Sequence, residues 1–260
     1  SNLDLDIDVY YKKNKNIVND KRITAISESN FKFLYRKNIL KRKKSFWSCK
    51  KISLYYEYKN NLKNFLNFEN QGKDLMHIFK NDTMKNEMVK KIKSEKKIKL
   101  QNKIIKNISQ KENYVEFGKN KKAYYDLIIL CLGGNSKLYS KILNDRNIIK
   151  NYNQIALTAL VNHNFKIKNP SQYFLKEGPL AILPYSKNKF SLVWSLDNKF
   201  FKKNKKIVKS STKLKIKNIF GSAKKFTITD LQFFPIHLNL KTEYFKNNIL
   251  VFGQGIHSIH

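Results

Sequence analysis

Residues able to do chemistry are sparse in this chain, and the most suggestive spacing lies at its end. Ile249, Leu250, Val251 and Phe252 run into Gly253, Gln254 and Gly255, and His257 and His260 follow. That pattern predicts a buried strand, a tight glycine turn and a helix starting behind it. Free backbone N–H groups at such a turn can hold the phosphates or hydroxyls of a bound ligand, although a G-x-G pair alone is a weak signal. His257 and His260 are one helical turn apart, as metal ligands can be. No Cys, Asp or Glu stands close in sequence to complete a set, so no metal is expected there. Cys49 and Cys131 form no CxxC pair and argue for neither a disulfide framework nor a zinc finger. No Ser/His/Asp set or carboxylate pair stands out.

The composition narrows the field. The chain has 260 residues, 41% of them hydrophobic and 13% aromatic, enough to bury a core and to exclude global disorder. Its 53 Lys+Arg against 19 Asp+Glu give a net charge of +34. Such an excess suits nucleic acid or an anionic membrane surface. Here the lysines are scattered through every region, as a compositional drift would leave them, and no aromatic RNP-type motif or recognition-helix pattern accompanies them. Nucleic acid is therefore not an expected partner. The longest purely apolar run, residues 127–132, is too short to span a bilayer. The chain begins with Ser1 and stops just behind the glycine turn, so a fragment of a longer protein is expected.

The elements that must position these residues fall into an order. Alternating apolar and acidic residues over 3–10 predict a strand with one solvated face, and 12–19 a polar loop. Residues 24–40 carry apolar positions near helical spacing, with Ser27 and Ser29 as candidate caps, and 41–44 form a basic turn. A strand over 52–58 precedes a helix over 83–92, entered through Asn81 or Asp82, with Met84, Met88, Val89 and Ile92 as its buried side. Two short strands joined through 109–112 lead to the apolar run 126–132, read as a strand buried on both faces and ending at Gly133. After about residue 151 come short strands at 155–161, 172–175, 180–183 and 190–194, which predict an antiparallel sheet. A charged loop at 202–206, a helix over 213–220, a strand at 230–234 and the buried strand at 249–252 close the chain.

Set in this order, the landmarks resemble a known family. Asp20, Arg22, Ala25 and Ser27 look like a D-x-R-x-x-A-L-S segment, and Tyr152, Gln154, Ala156 and Leu157 like Y-x-Q-x-A-L. Phe174 followed by Gly178-Pro-Leu-Ala-Ile-Leu-Pro184 is similar to F-x-x-x-G-P-L-A-L-L-P, and Val193, Trp194 and Ser195 to V-W-S. Pro235 sits where F-P-L is expected, and residues 253–260 where G-D-A-A-H-x-x-H falls. Together they resemble the flavin-dependent aromatic hydroxylases of ubiquinone biosynthesis, within the para-hydroxybenzoate hydroxylase fold.

The resemblance implies an α/β fold: a Rossmann-like FAD-binding domain with an inserted, mostly antiparallel β-sheet substrate domain. Residues 1–50, 73–150 and 241–260 would belong to the former, truncated at both ends, and 51–72 and 151–240 to the latter. It further implies FAD, NAD(P)H and oxygen as reactants and hydroxylation of a polyprenylated phenolic ring, with the cofactor supplying the oxidising chemistry. The expected setting is cytoplasmic and peripheral to the inner membrane, or the matrix side of a mitochondrion, at a membrane surface or in a biosynthetic complex.

Residues expected at the cofactor by this resemblance are Arg22, Gly133, Gly253, Gln254, Gly255 and His257. Gly178, Pro179 and Leu180 are expected at the substrate. Alternatives stay open: a surface arginine for Arg22 and a plain β-turn at Gly178-Pro179. Trp194 and Phe174 are expected in the core of the substrate sheet. Three acidic positions of the family pattern are missing. Tyr10, Tyr11 and Lys12 end the first strand where a ribose-binding Glu is expected, Leu132 replaces an Asp, and Gln254 replaces another. Gln254 can still hydrogen-bond a hydroxyl, whereas the Leu132 side chain cannot. A non-catalytic homologue kept as a scaffold partner is the alternative reading.

Overall fold

The computed structural model describes residues 4–12, 21–40, 45–133, 137–143, 147–253 and 257–258. They fall into two compact units, each built from discontinuous pieces of chain. One comprises 1–16, 95–153 and 236–260, and the other 17–94 and 154–235. The segments 17–50 and 73–94 thus lie in the same unit as the hairpin at 51–72.

The first unit is made of small sheets. Ile7–Tyr11 pairs in parallel with Ile98–Asn102, and Ile128–Leu130 in parallel with Ile249–Val251. Parallel pairing needs a crossover between the strands, and here long stretches of chain intervene in both cases. A three-stranded antiparallel meander of Asn107–Ser109, Tyr114–Glu116 and Lys122–Tyr124 joins them. The core gathers Ile108, Val115, Phe117, Ile128, Leu130, Tyr139, Ile142, Ile249 and Val251.

The Ile128–Leu130 strand corrects one expectation. Its burial alternates, with Ile128 and Leu130 in the core while Leu127 and Ile129 are more than half exposed. The run is apolar throughout, but only one of its faces is packed.

The second unit is organised by an antiparallel-dominated sheet. Its order runs from the 226–235 part of the Phe226–Lys241 strand through the 154–163 part of Asn147–His163, then Lys189–Asp197, Gly178–Ser186, Ser171–Leu175 and Lys51–Tyr58 to the edge strand Asn61–Glu69. Period-two alternation decides the two faces. Leu157, Leu180, Ile182, Leu192, Trp194 and Leu196 point to one side and, with Phe201, Val208 and Ile216 of the Asn198–Asn204 and Val208–Phe220 helices, form a core. A helix at 198–204, capped by the Asp197 carboxylate accepting from the Lys199 and Phe200 N–H groups, takes in the first part of the charged loop expected at 202–206, of which 205–206 remain a turn.

A smaller sheet of Ile23–Ser27, Met76–Lys80 and Trp47–Cys49 carries two helices, Glu28–Arg36 and Asn81–Ser94. The helical pattern read over 24–40 begins only at Glu28. Residues 23–27 pair with 76–80 instead, and the Ser27 hydroxyl caps the helix by accepting from the Asn30 N–H. In Asn81–Ser94 the buried residue is Glu87, while Met88 is exposed and Met84 and Val89 line an open groove of about 590 Å³ with Phe33 and Leu34. The expected apolar side of this helix therefore faces a groove. The basic turn at 41–44 and most of the loop at 12–19 lie outside the described residues.

Candidate functional site

The residues expected at the cofactor divide between the two units. In the first, Leu130 pairs in parallel with Val251, so Gly133 and Gly253 each follow the carboxyl end of one of two neighbouring strands. Gly133 has φ +75° and Gly253 φ +68°, and neither has a heavy atom within 4 Å of where a Cβ would stand. Carboxyl ends of parallel strands are where open α/β sheets receive ligands, and left-handed glycine turns let the backbone approach them closely. The Leu132 N–H is held by the Tyr139 hydroxyl at 2.9 Å, and burial pushes the pKa of that tyrosine up. Open space at two glycines of positive φ leaves their backbone free for a ligand to approach. The acidic side chains of the family pattern remain missing beside them.

One carboxylate on the first strand is tied up by its neighbours. Asp8 accepts from the Tyr125 hydroxyl at 2.7 Å and from Gln101 at 3.0 Å, and Tyr10 and Tyr125 bring their hydroxyls to 2.5 Å. The bond from Tyr125 holds the Asp8 carboxyl below its usual range, while burial pushes both tyrosines up. This carboxylate is engaged inside its own unit.

His257 departs from expectation. It pairs with Leu240, and Ser258 with Asn239, as a short antiparallel bridge. A ladder with the neighbouring strand engages the backbone groups that a helix would need for itself. Gln254, Gly255 and His260 lie outside the described residues. In the second unit, Arg22 is exposed next to the Ile23–Ser27 strand, and its carbonyl accepts from the Asn81 N–H at 3.0 Å.

The substrate residues separate by strand parity. Leu180 is fully buried opposite Trp194, in the core on the face of the sheet opposite to Phe174. Pro179 is half-buried on the other face, opposite Phe174. Gly178 has a packing reason to be glycine: at φ +125°, a Cβ would stand 2.0 Å from the Ser195 carbonyl oxygen.

Trp194 is core, as expected, but Phe174 is not; it is 42% exposed. Its ring lies 5.9 Å from Phe65, which lies 5.8 Å from Tyr56, and both are exposed too. Sequence reasoning missed this aromatic platform. The alternation in 52–58 sets Tyr56 and Tyr58 opposite the packed Tyr55, but the pairing of Tyr56 with Phe174 depends on a parallel register between distant strands.

No family model matches the chain, and no curated protein sequence matches it. Solved structures do. PqsL from Pseudomonas aeruginosa, a probable FAD-dependent monooxygenase, superposes with a TM-score of 0.76 at 12% identity, over 98% of this chain and 73% of that one. The p-nitrophenol 4-monooxygenase PnpA from Pseudomonas putida gives 0.71 at 12% identity, over 96% and 67%. Klebsiella pneumoniae HpxO, complexed with FAD and uric acid, gives 0.66 at 12% identity, over 92% and 64%. The chain has the mixed α/β fold of FAD-dependent monooxygenases. Its sheets are mostly antiparallel.

Proposed function

We propose that this chain is part of an FAD-dependent monooxygenase that hydroxylates a polyprenylated phenolic ring in ubiquinone biosynthesis. The observation that carries the reading is the pairing of this fold with an exposed aromatic face on the sheet of the second unit. Tyr56, Phe65 and Phe174, set edge-to-face and tilted to one another, offer an exposed aromatic surface against which a phenolic ring can pack, with Pro179 beside them. The reaction would move a hydride from NAD(P)H, put one oxygen atom of O2 on the ring and release the other as water. FAD, when bound, supplies the electron transfer and the activation of oxygen.

The protein's own part is to bind, orient and exclude water. The turns at Gly133 and Gly253 would hold polar groups of the cofactor through their backbone. The aromatic face would set the ring and keep water from it. The strongly basic surface suits the anionic head groups of a membrane from which a greasy substrate is drawn. No helix among the described residues is long and apolar enough to cross a bilayer, so the proposed association is peripheral.

A second reading, a non-catalytic homologue serving as a scaffold partner, is favoured by Leu132, which stands where the family pattern has an Asp and whose side chain makes no hydrogen bond. The visible spectrum of the purified protein from the complete reading frame decides between them. Flavin bands near one per chain support the enzyme. A folded, colourless protein that cannot be reconstituted with FAD supports the scaffold.

A further inference from the structure

Away from these surfaces, the second unit gathers three donor side chains in a chain otherwise crowded with lysine. Glu28, Asp74 and His77 bring one ligand atom each to within 4.8 Å of one another, with His77 buried and the two carboxylates partly so. The local backbone sets them there. The Leu75 N–H donates to the Cys49 carbonyl, and the Leu75 carbonyl accepts from the Glu28 N–H, tying the segment after Asp74 to the first turn of the Glu28–Arg36 helix. His77 sits within the Met76–Lys80 strand, between Ile26 and Ser48 on its neighbours.

The details are those of a prepared site. The His77 ring stacks on Phe31 at 3.8 Å, and its Nε2 lies 2.5 Å from Glu28 Oε2. The other oxygen of Glu28 is held by Lys32 at 3.0 Å, leaving Oε2 to face His77. Asp74 Oδ1 is out of contact with solvent and has no hydrogen-bond partner. A buried carboxylate oxygen without a partner is costly, because it has lost water and gained nothing in return. A cation between the three donors would satisfy it and would replace the proton shared by Glu28 and His77.

We infer that Glu28, Asp74 and His77 form a binding site for a divalent first-row transition ion. One imidazole and two carboxylates are a donor set for zinc, manganese or iron, more than for calcium or magnesium, which take oxygen alone. Donors around tetrahedral zinc stand about 3.3 Å apart, so the present spread closes by small side-chain movements. Glu28, the most exposed of the ion-paired donors at 24% against 7% for His77, gives the route of entry. Cys49 lies fully buried nearby, its thiol pushed up to about 12 by burial and then by the Asp74 charge; it donates to the Trp47 carbonyl and is not one of the three donors. The ion would brace the junction of helix and sheet, and the inference is independent of whether flavin binds.

The test uses the whole chain, stripped with chelator and titrated with zinc chloride or magnesium chloride. Calorimetry gives the stoichiometry, and thermal unfolding reads the stabilisation that a native-state ligand must bring. One zinc per chain and a zinc-dependent rise in Tm are expected, with magnesium inert. Asp74→Asn and His77→Gln should each weaken zinc binding at least about 100-fold and abolish the rise. Without zinc, Asp74→Asn should melt no lower than the parent, since the buried Oδ1 makes no hydrogen bond that could be lost; that variant carries the test should His77→Gln fail to fold. Absence of zinc uptake by the parent, or a Tm rise that survives in Asp74→Asn, overturns the inference.

Discussion

The Trp194 indole N–H donates to the Gly178 carbonyl oxygen at 3.1 Å, across two strands of the sheet in the second unit. The bond explains why the two most specific landmarks of the sequence, the G-P-L-A and V-W-S segments, occur together. Leu180 pairs with Trp194 in register, and Ser195 is the residue whose carbonyl leaves no room for a side chain at position 178. Gly178→Ala must therefore relieve a steric overlap as well as adopt a positive φ. It should cost at least about 3 kcal/mol, read as a lower midpoint in urea unfolding with an unchanged slope.

His163 gives the stability a pH dependence. It is 6% exposed, its ring 4.5 Å from Phe165 and 5.3 Å from Phe190. Burial pushes its pKa below the ordinary 6.5, and the Phe165 backbone opposes this only in part. The unfolded state then binds the proton more tightly than the folded one. The stability contributed by the neutral ring is fully present above the unfolded pKa and is lost as pH falls through the folded pKa. Thermal unfolding at about pH 7.5 and about pH 5 should show a drop in Tm that narrows in His163→Leu.

The two cysteines should differ sharply in reactivity. Cys49 is fully buried with its thiol near 12, whereas Cys131 is exposed at the end of the Ile128–Leu130 strand. A thiol reagent should titrate one cysteine in the native protein and two in denaturant. Because Cys131 stands two residues before the Gly133 turn, saturating FAD should slow its reaction. A rate indifferent to FAD would count against placing the cofactor at that turn.

Phe174→Ala and Phe65→Ala test the aromatic face. Both rings are 42% or more exposed, so each truncation should cost less than about 1 kcal/mol of stability. Each should weaken binding of an apolar phenol by about tenfold, measured by calorimetry on flavin-loaded protein. Leu180→Ala, by contrast, should cost about 2–5 kcal/mol, because it opens a cavity beneath the sheet.

Much of the strand pattern was legible because period-two alternation is local. Residues 155–161, 172–175, 180–183 and 190–194 all lie within observed strands, and Ser27 caps its helix as its type suggests. Several of the misreadings share a cause, namely that they depended on distant neighbours, whereas the Asp197 cap of the 198–204 helix is a local signal that sequence reasoning missed. Whether residues 24–27 are helix or strand was decided by the backbone of 76–80, and whether His257 starts a helix by Leu240. Phe174 is exposed rather than core because residue type cannot say which side of a sheet is covered. Gly133 and Gly253 could be named from their types, but their adjacency comes from a parallel pairing that no local pattern encodes.

That pairing carries a kinetic consequence. Ile128–Leu130 waits for Ile249–Val251, and the chain of the second unit between 154 and 235 is made in the interval. A nascent chain can close the second unit while the first still shows bare strand edges, with Ile128 and Leu130 lacking the neighbours that bury them. Non-local parallel contacts form late and slowly, and their unpaired edges are open to association in the meantime. The carboxyl ends of these two strands would then be among the last parts of the first unit to take shape.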